Sequence, residues 1–319
     1  MELTEDILKR VKLLQEKYAA MGQDLASYLD GLLYADYLTY WDYIHLDTLL
    51  SLQNPRTGFP DEEIFIMYHQ ITELYFKLSL NELKQLSASD HLDPVIYTTR
   101  IKRINRYFRN LTHSFEVMVD GMEPEQFLKF RMSLLPASGF QSAQYRMIEI
   151  YATDFIHLVA KDHREKFIES GGSLSEQFNF IYWKAGATEL ATGKKTLTLQ
   201  QFEDRYSAVL IELAEQQLGK TLYSRYRQMK ALGKDVSALQ TALRELDVHV
   251  NVNWPLSHYK SAVRYLQKDP EDIRATGGTN WQKYLPPRFQ KRIFYPELWT
   301  AEELEEWGKS WVTETLRMG

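Results

Sequence analysis

One rhythm dominates the chain. Between Pro94 and Gly121, apolar residues fall at Ile104, Phe108, Leu111, Phe115 and Met118, at alternating steps of four and three that share one face of an α-helix. The same spacing returns at Ile7, Val11, Leu14 and Tyr18, at Phe202, Tyr206, Val209 and Leu213, and at Leu239, Leu243, Leu246 and Val250. A half-buried strand would instead alternate at every second residue. Only the short run Val248 to Val252 offers such a pattern. Helix breakers are sparse, with 15 Gly and 10 Pro, whereas 20 Tyr, 15 Phe and 7 Trp supply bulky interior groups. The predicted fold class is all-α, a helical bundle with few or no strands.

Turn chemistry divides the bundle. Thr4 is placed to cap the first helix, and Asn54-Pro55-Arg56-Thr57-Gly58-Phe59-Pro60 ends an N-terminal stretch crowded with tyrosines. From Asp61 to Leu86 apolar residues lie on nearly every side, which predicts a helix buried in the middle of the bundle. Asp93-Pro94 opens the next helix and Gly121 with Pro124 closes it. Leu135-Pro136-Ala137-Ser138-Gly139 forces a turn between two helical pieces, where small residues let a ligand approach backbone. Residues 171–195, rich in Gly, Ser, Ala and Thr, read as a lid or insertion, and Thr198 to Gln201 as a capping box. Trp254-Pro255 either kinks a helix or starts its successor, and a last helix begins near Thr300.

Several function classes are excluded on chemistry. With 38 Lys plus Arg against 43 Asp plus Glu, no basic surface is expected, so nucleic acid is not a predicted partner. The chain has no cysteine, which removes disulfides, thiolate metal sites and cysteine nucleophiles. The acidic start Met1-Glu2-Leu3-Thr4-Glu5-Asp6 and the short apolar runs predict a cytoplasmic protein with no membrane contact. Phosphate-binding glycine loops, HExxH and GxSxG are missing. A ferritin-like di-iron site needs Glu three residues before His. The nearest approximations are Asp42 before His45 and Asp154 before His157.

The histidines are then the open question. His45, His91, His113, His157 and His163 read as surface or satisfied structural groups. His69 lies among Phe65, Thr72 and Phe76 on one helical face, and His258 follows Trp254 by four residues and precedes Ala262 by four. On spacing alone, each is either a core imidazole with a local partner or a functional group.

Three blocks narrow the choice. Phe65-Ile66-Met67-Tyr68-His69-Gln70-Ile71-Thr72-Glu73-Leu74-Tyr75-Phe76-Lys77 resembles the F-x-x-x-H-Q-x-x-E-L-W-F-K helix of the tryptophan 2,3-dioxygenase family, with Tyr75 in place of Trp. Phe127 to Arg131, then Pro136-Ala137-Ser138-Gly139-Phe140-Gln141-Ser142 and Gln144-Tyr145-Arg146, resembles its F-x-x-[FY]-R and P-A-S-G-F-Q-S-x-Q-[FY]-R block. Trp254, His258 and Thr276-Gly277-Gly278 resemble its haem-histidine and T-G-G segments.

The resemblance implies a single all-α haem dioxygenase domain over residues 1–319, of the tryptophan/indoleamine dioxygenase type. Residues 1–60 would form an arm toward a neighbouring subunit of a homotetramer. It implies haem b, ferrous when active, with O₂ as co-substrate and L-tryptophan as substrate, the product being N-formylkynurenine, the first step of tryptophan catabolism along the kynurenine route. His258 would be the axial iron ligand, with Trp254, Ala137, Gly139 and Arg146 around the cofactor. His69 would be the distal catalytic group. Phe65, Phe127 and Leu134 would line the indole slot, Arg131 would clamp the carboxylate, and Ser138 and Thr276 would hydrogen-bond the substrate. Tyr40 and Tyr43 would reach a neighbour's site.

The chain departs from the family pattern in places. Ala275-Thr276-Gly277-Gly278-Thr279-Asn280-Trp281 stands where G-T-G-G-S-S-G is usual, and Pro255 stands where an arginine commonly follows the tryptophan. Two alternatives therefore accompany the dioxygenase reading. One is a haem mono-oxygenase or hydroxylase acting on a modified indole or another aromatic amino acid. The other is a non-catalytic haem or tryptophan sensor.

Overall fold

The computed structural model describes residues 3–35, 38–188, 193–266, 287 and 291–308. The chain divides into two compact units, Met1–Asn54 and Pro55–Gly319, at the Asn54-Pro55 break. The first unit holds α1 (Glu5–Ala20), α2 (Leu25–Leu33), α3 (Tyr40–Tyr43) and α4 (Leu46–Leu49). Tyr18 of α1 stacks on Tyr28 of α2 with ring centroids 4.1 Å apart. Thr4 occupies the cap position of α1 in extended backbone, but its hydroxyl bonds no helix N–H. No residue of α1 is buried, so the apolar face read from the sequence is left open.

In the second unit the elements run α5 (Asp61–Ala88), α6 (Pro94–Ser114), α7 (Glu116–Val119), α8 (Pro124–Phe130), α9 (Ala143–Ala152), α10 (Lys161–Ser170), α11 (Leu174–Asn179), α12 (Tyr182–Gly186), α13 (Leu197–Gln216), α14 (Leu222–Ala231), α15 (Ser237–Val248) and α16 (Trp254–Leu266). The helix α5 packs on α6 and α9, and α6 packs on α15. Tyr68, Phe76 and Leu83 of α5 share one core with Ile101, Ile104 and Phe108 of α6, Ile148 of α9 and Leu243 of α15. The periodic positions predicted on α6 and α15 therefore do face inward. Among the described residues there is no strand, only isolated bridges at Val159–Ile181 and Thr188–Lys195. No helix there is long and apolar enough to cross a membrane.

Local chemistry sets the ends of these helices. Asp93 accepts the Val95 N–H at 2.8 Å and Pro94 fills the first helical position, which starts α6 where the sequence predicts. Glu62, in the first turn of α5, accepts the N–H groups of Arg56 and Thr57, each at 2.8 Å, and so ties the preceding loop to the helix. The cap of α13 is Thr196 rather than Thr198, its hydroxyl accepting from Leu199 N at 3.3 Å. The Thr198 hydroxyl instead donates to the Pro136 carbonyl at 2.8 Å.

Three further expectations change. The outer face of α5 is not buried by the described residues of its unit: Met67, Ile71, Leu74 and Leu78 form a stripe 39–48% exposed. The 171–195 region, read as a lid or insertion, sends Phe178, Tyr182 and Trp183 into the core. Gly171 and Gly172 turn the chain at positive φ and Ser173 caps α11, while the aromatic residues provide the packing. The strand-like run Val248 to Val252 is helical, with a π-helical turn over His249–Asn253 that joins α15 to α16. A proline at 255 has no N–H, and its ring would strike the carbonyl four residues back in an ordinary α-helix. The wider turn avoids that clash.

Buried carboxylates then pin elements together. Glu82 of α5, almost fully buried, accepts from Arg100 at 2.9 Å and Arg103 at 3.0 Å on α6. Asp247 of α15 accepts from Asn251 Nδ2 and Trp299 Nε1 and from the backbone N–H groups of Phe294 and Tyr295. Those donors fasten the 294–299 segment to the bundle, although burial still pushes the Asp247 carboxyl up to about 6.

Candidate functional site

The site is built where α5, α8, α16 and the 135–142 turn meet. On α5, His69 Nδ1 lies 2.7 Å from the Phe65 carbonyl one turn earlier. A carbonyl only accepts, so Nδ1 carries the proton and Nε2 of the neutral ring is left as an acceptor. Burial lowers the His69 pKa, which keeps the ring neutral. The Phe65 ring lies 4.2 Å from the His69 ring and 6.2 Å from Phe127 of α8, and Phe127 lies 4.6 Å from Tyr265 of α16. The result is a continuous apolar wall with one hydrogen-bond acceptor beside it.

Arg131 follows α8 directly, in the short 3₁₀ turn Arg131–Leu134. It is 5% exposed, and burial draws its guanidinium below its ordinary pKa. A cation kept there at a desolvation cost is suited to a carboxylate, which it can grip with two parallel N–H bonds. Leu134, partly buried, packs on the same core.

The 135–142 turn is fixed from several sides. The Ala137 N–H donates to Leu134 O at 2.7 Å, Ser138 N donates to Gln141 Oε1 at 3.3 Å, and Gln141 Nε2 reaches Thr198 O at 3.2 Å. Ser138 Oγ accepts from Phe140 N, so the hydroxyl caps its own turn. Gln144 anchors the start of α9 to α5 through Glu73. These bonds explain in local terms why polar residues recur through this block.

Beyond the turn stands His258 on α16. A methyl group added at Gly139 would lie 3.6 Å from His258 Cε1 and 4.0 Å from Nε2, so the Nε2 edge of the ring looks onto a residue without a side chain. Phe115 and Trp254 flank the ring at 5.4 and 6.3 Å. Burial, then the nearby His69, lowers the His258 pKa to about 4. The two imidazoles are thus close enough for charge on one to disfavour charge on the other. The His258 imidazole makes no hydrogen bond to another described residue. A neutral imidazole with a ring nitrogen toward an open glycine edge has the donor chemistry of an axial haem ligand.

The remaining predicted residues lie elsewhere. Arg146 gives Nη1 to Glu149 at 3.1 Å and to Tyr182 at 2.8 Å, within a buried network that also takes in Arg292. Tyr40 and Tyr43 belong to the first unit, 70% and 73% exposed. Thr276 and the 275–281 loop fall outside the described residues. Two groups at the site have no functional role assigned from the sequence: Phe115, which closes one side of His258, and Tyr265, which closes the far end of the apolar wall. Their helical spacing is that of any buried aromatic, and only the tertiary contact reveals the difference.

The comparisons with known proteins fall on this same set of residues. The sequence model described as tryptophan 2,3-dioxygenase matches residues 33–174, a span that holds both the His69 helix and the Arg131 block. Over that span the chain is similar to the tryptophan 2,3-dioxygenase family. The tryptophan 2,3-dioxygenase of Ruegeria pomeroyi is 28% identical over 277 residues, covering 83% of this chain and 92% of its own. That of Bradyrhizobium diazoefficiens is 27% identical over 293 residues, covering 84% and 92%. That of Bacillus thuringiensis subsp. konkukian is 28% identical over 270 residues, covering 83% and 91%. Coverage of this extent carries the similarity past the matched span, to the part of the chain that holds His258.

Proposed function

We propose that this protein is a haem-dependent dioxygenase that inserts both atoms of O₂ across the indole C2–C3 bond of L-tryptophan, opening the pyrrole ring to give N-formylkynurenine. The observation that carries the reading is the pair His69 and His258, two neutral, partly buried imidazoles beside one apolar wall, one with a fixed acceptor nitrogen and the other facing Gly139. His258 would hold a haem iron, with Gly139, Ala137 and Trp254 around it. Ferrous haem would supply the binding and activation of O₂. Arg146, whose Nη1 is held by Glu149 and Tyr182, lies over Phe140 of the same turn and would offer its unpaired Nε to the cofactor.

The chain's own residues account for substrate choice and placement. His69 Nε2 accepts the indole N–H, and because burial lowers its basicity it orients the ring rather than removing the proton. Phe65, Phe127 and Leu134 hold the indole between apolar surfaces and keep water away from it. Arg131 pairs the carboxylate, which fixes the long axis of the amino acid. Ser138 and Thr276 complete the polar contacts. The proposal extends to a cytoplasmic homotetramer in which Tyr40 and Tyr43, exposed in the first unit, reach a neighbouring subunit's site.

The test is mass spectrometry of the product formed by haem-loaded, reduced protein from L-tryptophan under ¹⁸O₂. Incorporation of both labelled atoms is expected. A single labelled atom would assign the protein to mono-oxygenation, and turnover only with a modified indole would overturn the substrate.

A further inference from the structure

The helix that carries His258 is entered through the π-helical turn His249–Asn253, and the proline that follows it deprives a carbonyl of the turn of its helical donor. The Trp254 N–H donates to His249 O, five residues back. In that register the donor for Val250 O would be the N–H of residue 255, and residue 255 is proline. Val250 is fully buried, so water cannot serve instead. The Tyr145 hydroxyl of α9 fills the gap, donating to Val250 O at 3.0 Å in the core. Arg292 Nη2, at 3.3 Å, donates to the same hydroxyl oxygen, which aims the tyrosine proton at the carbonyl.

The turn decides where His258 points. Core positions on α15 run Leu239, Leu243, Leu246 and Val250, and the unbroken four-three rhythm would continue to 253, 257, 260 and 264. The residues that face inward are Trp254, Ser261 and Tyr265, with His258 between them, each one place later. A π turn adds one residue to the helix and rotates everything after it by about one residue's arc, roughly 100°. Without it, Ser257 would take the place of His258.

We propose that Tyr145 is a positioning residue for His258: its hydroxyl replaces the donor that Pro255 lacks and so holds the one-residue register shift that turns the imidazole toward Gly139. The inference rests on the reading of His258 as the iron ligand, and the test separates the two.

Four proteins are compared with the parent: Tyr145→Phe, Pro255→Ala, the double variant and His258→Ala. Two readouts are used, thermal unfolding of the haem-free chains and, after haemin loading, the iron–histidine stretching band of the ferrous form together with the haemin dissociation rate. Tyr145→Phe is expected to lower the melting temperature, shift or broaden the band, and speed haemin loss at least about 5-fold, the effect of leaving one buried carbonyl unmet. Pro255→Ala in the Tyr145→Phe background restores an N–H in reach of Val250 O and should recover most of both losses. Tyr145→Phe protein with the parental band and dissociation rate, or a double variant no better than Tyr145→Phe, would overturn the inference while leaving the iron ligand intact. A histidine-type band retained in His258→Ala would instead overturn the assignment on which it rests.

Discussion

Replacing Gly139 with alanine separates folding from cofactor binding at a single atom. The added methyl would sit 3.6 Å from His258 Cε1 and 4.0 Å from Nε2, ordinary contact distances, and among the described residues it meets nothing else within 4 Å. Gly139 is not held in the left-handed region, so the backbone accepts a Cβ there. The haem-free variant should therefore be as stable as the parent or gain about 0.5 kcal/mol from the stiffer unfolded chain. The same methyl occupies the space beside the ring nitrogen through which His258 would bind iron. Crowding a filled site by one methyl group costs about 1–3 kcal/mol, equivalent to haemin binding weakened by roughly 5- to 150-fold. Haemin titration followed in the Soret band, with calorimetry of the haem-free protein alongside, reads both halves. A variant that binds haemin as tightly as the parent would show that the porphyrin does not lie against Gly139, and the site would have to be rebuilt.

Other consequences are equally direct. Arg131→Ala should lose on the order of 2–5 kcal/mol of substrate recognition in kcat/KM for L-tryptophan, and much less for tryptamine, which has no carboxylate; equal losses for the two substrates would refute the clamp. His157 has its pKa lowered to about 4 by burial first, then by Arg164, with Asp154 opposing and Arg227 adding a smaller lowering. Its contribution is present in full above about pH 6.5 and is lost as pH falls toward 4, up to about 3 kcal/mol. His157→Phe should flatten urea midpoints measured across that window relative to the parent, in which His69, His249 and His258 titrate in the same direction; an unchanged slope would count against it. Glu82→Ala should cost about 2 kcal/mol in chemical denaturation, because the arginines it pairs stay partly solvated, and a neutral result would mean those pairs contribute nothing.

Much of this architecture is legible in the spacing of apolar residues, because a helix repeats its core face every three or four positions whatever surrounds it. The inward faces of α6 and α15 follow directly. Coverage does not, since periodicity shows that Met67, Ile71, Leu74 and Leu78 are apolar and aligned but not whether this chain buries them. The π turn is hidden for a related reason. Val248, Val250 and Val252 alternate as a strand would, and the bond that admits the wider turn comes from Tyr145, more than a hundred residues away. At the site, His69, Arg131 and His258 stand out through the company of their neighbours in sequence. Phe115 and Tyr265 carry no such mark, and the tautomer of His69 exists only once its ring meets the Phe65 carbonyl.

The proline after Trp254 also limits the order in which such a chain can change. With a main-chain N–H at position 255, Phe or Tyr at 145 leaves no buried carbonyl stranded, so that position drifts freely. Once proline is installed, phenylalanine at 145 strands the Val250 carbonyl at about 1–3 kcal/mol, a large share of the margin by which a protein of ordinary stability stays folded. Tyrosine before proline is therefore the passable route and proline before tyrosine the obstructed one. In the present chain Pro255 can revert alone, whereas Tyr145 cannot until the proline has gone.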